Sequence, residues 1–144
     1  MSPKPKEVVT SVIVTMFIMI AMMWGRTYYS QCQQFNIGEE AFKKGSMRDA
    51  ITAYESAIHM YTPGSWTVKA SIERLWQIGE IFERQNQNDW ALLAFRSLRS
   101  SLYAVRSFYT PYPEWIDRCD KKISRILAVR EGLTALSPPN PTRK

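Results

Sequence analysis

The stretch IGEEAFKKGSMRDAITAYESA, residues 37–57, decides the fold. Gly45-Ser46 divides it in two. Gly suits the left-handed position that follows a helix end. Ser46 or Met47 then precedes a second helix, with Asp49 in its first turn, where a negative charge meets the positive end of the helix dipole. Upstream, residues 27–44 contain no Pro, and Phe35, Ile37, Ala41 and Phe42 supply an apolar side. Downstream, residues 48–61 place Ala50, Tyr54, Ala57 and Ile58 along one face at helical spacing. The stretch reads as helix, tight turn, helix.

The same pattern continues toward the C-terminus. Residues 62–65 (TPGS) form a loop. A third helix is expected over residues 66–84, with Leu75, Ile78, Gly79 and Phe82 on its packed side. Residues 86–88 make the next turn, and Asp89 is expected to cap a fourth helix over 89–108. That helix has the clearest period: Ala91, Ala94, Phe95, Leu98, Leu102 and Val105 recur at three and four residues. Residues 109–113 (YTPYP) break it. A fifth helix over 114–131 carries Trp115, Ile116, Cys119, Ile123, Ile126 and Leu127. There is no sustained apolar–polar alternation and no hairpin signal, so strands are not expected. The class is all-α with about five helices.

Comparing the chain with itself adds a repeat. Ile37, Gly38, Gly45, Ala50, Tyr54, Ala57 and Pro63 resemble, in place or one residue off, the tetratricopeptide pattern. In that pattern a large apolar residue and a Gly open helix A, and a second Gly allows the turn. Ala, an aromatic residue and Ala then line helix B, and a Pro follows. A second unit matches through Leu75, Ile78, Gly79, Phe82, Ala91 and Phe95, with Leu98 at the last small position. Asn86 stands for the turn Gly, since Asn also accepts left-handed geometry. The resemblance covers residues 34–111 and departs from the family in two ways. Gly38 and Gly79 lie 41 positions apart, against a family repeat of about 34 residues, and Gln34 stands where the first unit would carry Trp. It implies a divergent, two-unit helical-hairpin module for binding proteins, with the fifth helix capping the exposed face of the fourth.

Upstream of the module, residues 8–24 (VVTSVIVTMFIMIAMMW) carry no charge, no Gly and no Pro. A helix of that length rises about 25 Å, against a hydrocarbon core about 30 Å thick. Trp24, Gly25, Tyr28 and Tyr29 extend it into the headgroup zone that aromatics favour. Summed insertion free energies of its Val, Ile and Phe residues come to roughly −2 to −5 kcal/mol, enough to outweigh two Thr and one Ser. A cleaved secretory signal is the rival reading, but residues 22–26 (MMWGR) lack the small-x-small cleavage pattern. A buried core helix is a second rival, and a run apolar on every side would need a large protein around it. Lys4 and Lys6 precede the run, and Arg26 is the nearest basic residue after it, so the positive-inside rule favours a cytoplasmic N-terminus. The organisation expected is a cytoplasmic N-terminus over residues 1–7 and a transmembrane helix over 8–25. A helical domain over 26–132 and a disordered Pro-rich tail over 133–144 follow. The domain would lie outside the cytoplasm, in the periplasm of a Gram-negative host. Gly25 is the weak link between span and domain, but one Gly costs about 1 kcal/mol and need not end a helix. The transmembrane helix is therefore expected to run on into the first domain helix.

Formal net charge is +6. The excess is dispersed, which suits anionic headgroups or an acidic partner and does not suggest nucleic acid. Two Cys and one His, with Cys32 and Cys119 far apart, cannot assemble the four ligands of a structural zinc site. A Cys32–Cys119 disulfide and two separately packed thiols both remain open. His59, near a helix end, reads as structural. No nucleophile, base and orienting acid stand out, so neither catalysis nor a cofactor is expected.

Three groups of residues are candidates for contact. Arg96, Arg99, Tyr103 and Arg106 fall on one face of the fourth helix, away from its apolar stripe. They are placed to meet a carboxylate-bearing partner or lipid headgroups; a solvated helix face is the plainer reading. Tyr109, Tyr112 and Trp115 flank two prolines, as a partner contact or as loop packing. Ser11 and Thr15, four apart on the span, allow close approach of another membrane helix or bond their own backbone. The resulting expectation is a non-catalytic, membrane-anchored accessory or scaffold subunit. It would serve protein partners of a larger membrane complex in contact with the lipid bilayer, with no small-molecule substrate. A transiently binding assembly or regulatory factor is the alternative.

Overall fold

The computed structural model describes residues 5–62, 64–106 and 110–136. Tyr109 and the Pro-rich residues 137–144 lie outside the described residues. Five helices occur in order: α1 (Pro5–Lys43), α2 (Met47–His59), α3 (Trp66–Arg84), α4 (Asn88–Ala104) and α5 (Pro113–Leu136). No strand occurs among the described residues.

Helix α1 is one 39-residue element that passes through Gly25 without a break. Residues 8–29 are exposed, so the core-helix reading is overturned for this chain: its own core does not surround the apolar run. It is long and apolar enough to cross a membrane, as either a single-pass anchor or a signal sequence would be. From Gln31 onward the helix becomes part of the domain, with Gln31, Phe35, Gly38 and Ala41 buried.

The α1–α2 and α3–α4 turns are built alike. Gly45 has φ +77° and Asn86 has φ +57°. In the first turn, Ser46 N–H donates to the Ala41 carbonyl (2.9 Å) and Gly45 N–H to that of Phe42 (3.1 Å). In the second, Gln87 N–H donates to Phe82 (2.9 Å) and Asn86 N–H to Glu83 (3.1 Å). Both are Schellman turns, which return the last carbonyls of a helix to partners and reverse the chain in few residues. Equivalent positions are again 41 apart.

Packing follows the same period. Phe35 meets Tyr54 at 5.8 Å between ring centroids, and Trp76 meets Phe95 at 5.0 Å. Each hairpin then receives the next odd-numbered helix. Trp66 of α3 packs edge-on against Phe35 (5.4 Å), and Arg74 pairs with Glu39. Trp115 of α5 packs edge-on against Trp76 (5.5 Å), and Lys122 pairs with Glu83. Helix α2 also touches α4. The helices thus stack in two layers, odd-numbered and even-numbered, around a continuous core that includes Ile58, Ile72, Leu75, Ile78, Leu98 and Leu102. Helix α5 buries Ile116, Cys119, Ile123 and Ile126 and turns Asp117, Lys121 and Arg125 outward. A polar outer face is what the terminal helix of a stacked array needs.

Two boundary expectations are corrected. Helix α4 ends at Ala104, with Val105 as its C-cap, well short of residue 108, so Arg106 lies beyond the helix. Asp89 is not the cap: Gln87 holds that position, and Asp89 sits in the first turn with its carboxylate 3.0 Å from Arg130.

Candidate functional site

Two places join elements in ways that go beyond core packing. The first locks α1 to the rest of the domain. Gln31 is fully buried. Its Nε2 donates to the Ala57 carbonyl (3.1 Å) and the Met60 carbonyl (2.9 Å). These lie at the end of α2, where carbonyls lack partners within the helix. Its Oε1 faces the Ser65 and Thr67 hydroxyls at 2.6 and 2.8 Å, and those hydroxyls are 2.5 Å apart. One amide therefore ties the continuation of the apolar helix to the end of α2 and the start of α3.

Two turns further along α1, the Glu39 carboxylate accepts from Arg74 Nε (2.6 Å) and Nη2 (2.9 Å), and from Tyr54 Oη (2.8 Å). Burial works to raise the Glu39 pKa. The Arg74 and Tyr54 hydrogen bonds and the Arg74 and Lys43 charges outweigh it and hold the carboxyl below its ordinary value. Burial and the Glu39 charge raise the Tyr54 pKa, so its phenol stays protonated and donating. Arg74 also donates to Gln77 (2.9 Å) and lies over the Phe42 ring.

The second place is the outer side of α4. Arg96, Arg99, Ser100 and Tyr103 line an open depression of about 380 Å³. Of the residues expected on this face, Arg96, Arg99 and Tyr103 are brought together. Arg106 is exposed past the end of the helix and does not line it. Arg96 is exposed. Arg99 is half committed: its Nε is 2.8 Å from Asp120 Oδ1 of α5, an ion pair whose N–H is not aligned for a hydrogen bond, and its guanidinium lies 5.6 Å from the Tyr103 ring centroid. Ser100 and Leu93 belong to this face and were not singled out from sequence. Leu93 is 40% exposed. An apolar residue off the Ala91–Ala94–Phe95–Leu98 stripe was the available signal.

Tyr112 and Trp115 do not join the arginines. Tyr112 takes φ +53° in the turn before α5 and is half-buried against the core. Trp115 is turned onto Trp76, with the Arg118 guanidinium 4.7 Å above it. Within the apolar run, the Thr15 hydroxyl donates to the Ser11 carbonyl of its own helix (2.8 Å). Cys32 is half-buried, Cys119 is buried, and both are free thiols.

No protein-family model, curated protein or solved structure matches the chain.

Proposed function

We propose that the chain is a non-catalytic accessory subunit. In this reading a tetratricopeptide-like module is fixed at the membrane surface by an uncleaved anchor and binds partner proteins of a larger membrane complex. The observation that carries it is the sharing of α1 between the apolar run and the first hairpin, with Gln31 clamping the helix to α2 and α3. A module held this way keeps one position and orientation beside a neighbour, which raises local concentration without a flexible tether. The tetratricopeptide reading is supported by the paired Schellman turns, the Gly–aromatic contacts and the capped end, despite the 41-residue period. The partner-facing side is α4, where exposed Leu93 lies one turn before Arg96, and Tyr103 follows about two turns further along the same face. A cation, an aromatic ring and an apolar residue make a suitable anchor set for an acidic–apolar segment. The N-terminus is cytoplasmic and the domain extracytoplasmic, periplasmic at an inner membrane.

Native separation after mild-detergent extraction tests the subunit reading. Stable co-migration with a large complex is expected; migration alone favours a transient assembly factor. Protease added outside spheroplasts is expected to cut the domain, and protection would reverse the orientation. Arg96→Glu is expected to weaken co-migration. Unchanged co-migration would leave α4 a solvated face.

A further inference from the structure

The corner between α2 and α3 meets α1 where the apolar run ends. Gln31 holds the Met60 carbonyl and the Ser65 and Thr67 hydroxyls against α1. Thr27 and Met23 lie one and two helical turns back on the same side of α1. The corner must therefore descend beside them. Met23, Trp24 and Thr27 from α1, with Tyr61 and Thr62 from the corner, line a half-open slot of about 220 Å³.

The lining is graded. Met23 and Trp24 close the uncharged run and offer apolar surface. Thr27, Tyr61 and Thr62 bring hydroxyls. Trp and Tyr prefer the level where acyl chain gives way to headgroup. The slot is smaller than the roughly 300–1,000 Å³ that enclose a whole drug-sized ligand, so its size suits part of a longer molecule. We propose that a phospholipid of the bilayer fills it. The first methylenes of the lipid lie against Met23 and Trp24, and its ester-linked glycerol lies against Tyr61 and Thr62. The α2–α3 corner is then a second point of membrane contact, seated among the headgroups. The occupant is lipid because the slot is continuous with the apolar helix surface. This rests on α1 spanning the bilayer.

The full chain, with Cys32→Ser and Cys119→Ala and its fold checked by circular dichroism, is placed in phosphatidylcholine–phosphatidylglycerol nanodiscs. Single bimane labels are attached through Met16→Cys, Thr62→Cys or Asn86→Cys. The position-62 label is expected to be quenched by a headgroup nitroxide and shielded from aqueous iodide, and the position-86 label the reverse. If the position-16 label escapes a nitroxide deep on the acyl chain, the anchor reading itself fails. If position 16 is quenched but position 62 responds like position 86, this proposal alone fails. Occupancy is read by native mass spectrometry of the detergent-extracted chain with phosphatidylglycerol. One retained lipid is expected, lost in Thr27→Phe and in Thr62→Trp, which fill the slot from either side. No retained lipid, or retention unchanged in both folded variants, overturns the proposal.

Discussion

The ring of Tyr54 occupies the space that a side chain at Gly38 would need: a Cβ built on Gly38 would lie 2.6 Å from Tyr54 Cε1. The second hairpin repeats the relation, with a Cβ on Gly79 falling 2.6 Å from Phe95 Cε1 and Cζ. Each ring is fully buried, so neither can swing aside. Overpacking costs about 1–3 kcal/mol, while replacing a mid-helix Gly by Ala returns about 1 kcal/mol. Gly79→Ala is therefore expected to destabilise by about 1 kcal/mol in urea unfolding of the detergent-solubilised chain. In Gly79→Ala/Phe95→Leu the two effects should fall short of their sum, since the smaller side chain relieves the clash. Strict additivity would contradict the contact.

Gln31→Leu removes the side-chain donor to the Ala57 and Met60 carbonyls and the acceptor that the Ser65 and Thr67 hydroxyls share, leaving those hydroxyls only each other and the Met60 carbonyl only the Thr62 hydroxyl at 3.4 Å. Stranding a buried polar group costs about 1–3 kcal/mol, so a loss of about 2–4 kcal/mol is expected. Hydrogen exchange should rise first at the end of α2 and the start of α3. Exchange that rises uniformly over the domain would mean that the clamp is not local.

The Glu39 carboxyl lies below its ordinary value of 4.5 in the folded chain. A depressed folded pKa contributes stability that is fully present above the unfolded value. It is lost as pH falls through the folded one. Acidification from pH 7 through pH 4.5 and below should therefore destabilise the natural chain, and Glu39→Gln should flatten that dependence. Glu39 and Arg74 are partly exposed, so after allowance for solvent screening the difference is about 1 kcal/mol. Parallel pH profiles for the two chains would remove Glu39 from acid sensitivity.

Burial, with Asp120 adding to it, pushes the Cys119 thiol up to about 12. Thiolate is the reactive form, so Cys119 should resist maleimide at pH 7.5 until the chain unfolds. Half-buried Cys32 should label in the native state. Mass spectrometry of digested protein distinguishes them, and native labelling of Cys119 would show that α5 opens readily.

Much of this architecture was readable one residue at a time. Trp66 and Arg84 bound α3 as expected, because Ser65 precedes the first turn and Asn86 takes the left-handed turn. The Gly38–Tyr54 and Gly79–Phe95 pairs show in sequence as small and aromatic residues at a common spacing. Other features depend on partners far along the chain. Gln31 sits among Gln33 and Gln34 and looks solvated; its burial follows from helix ends near Ala57 and Met60 that no local pattern reveals. Arg99 shares a helical face with Arg96, yet Asp120 of α5 draws it partly away. The end of α4 was overestimated because no Gly or Pro interrupts the chain before Pro111.

With α1 spanning the bilayer as proposed, its unbroken course gives the domain a compass bearing in the plane of the membrane, set by residue count alone. One Ala inserted after Gly25 turns everything beyond it by about 100° and lifts it about 1.5 Å; seven restore the heading within about 20° but raise it about 10 Å. A neighbour that meets α4 from a fixed direction should notice the single insertion more than a partner arriving from solution.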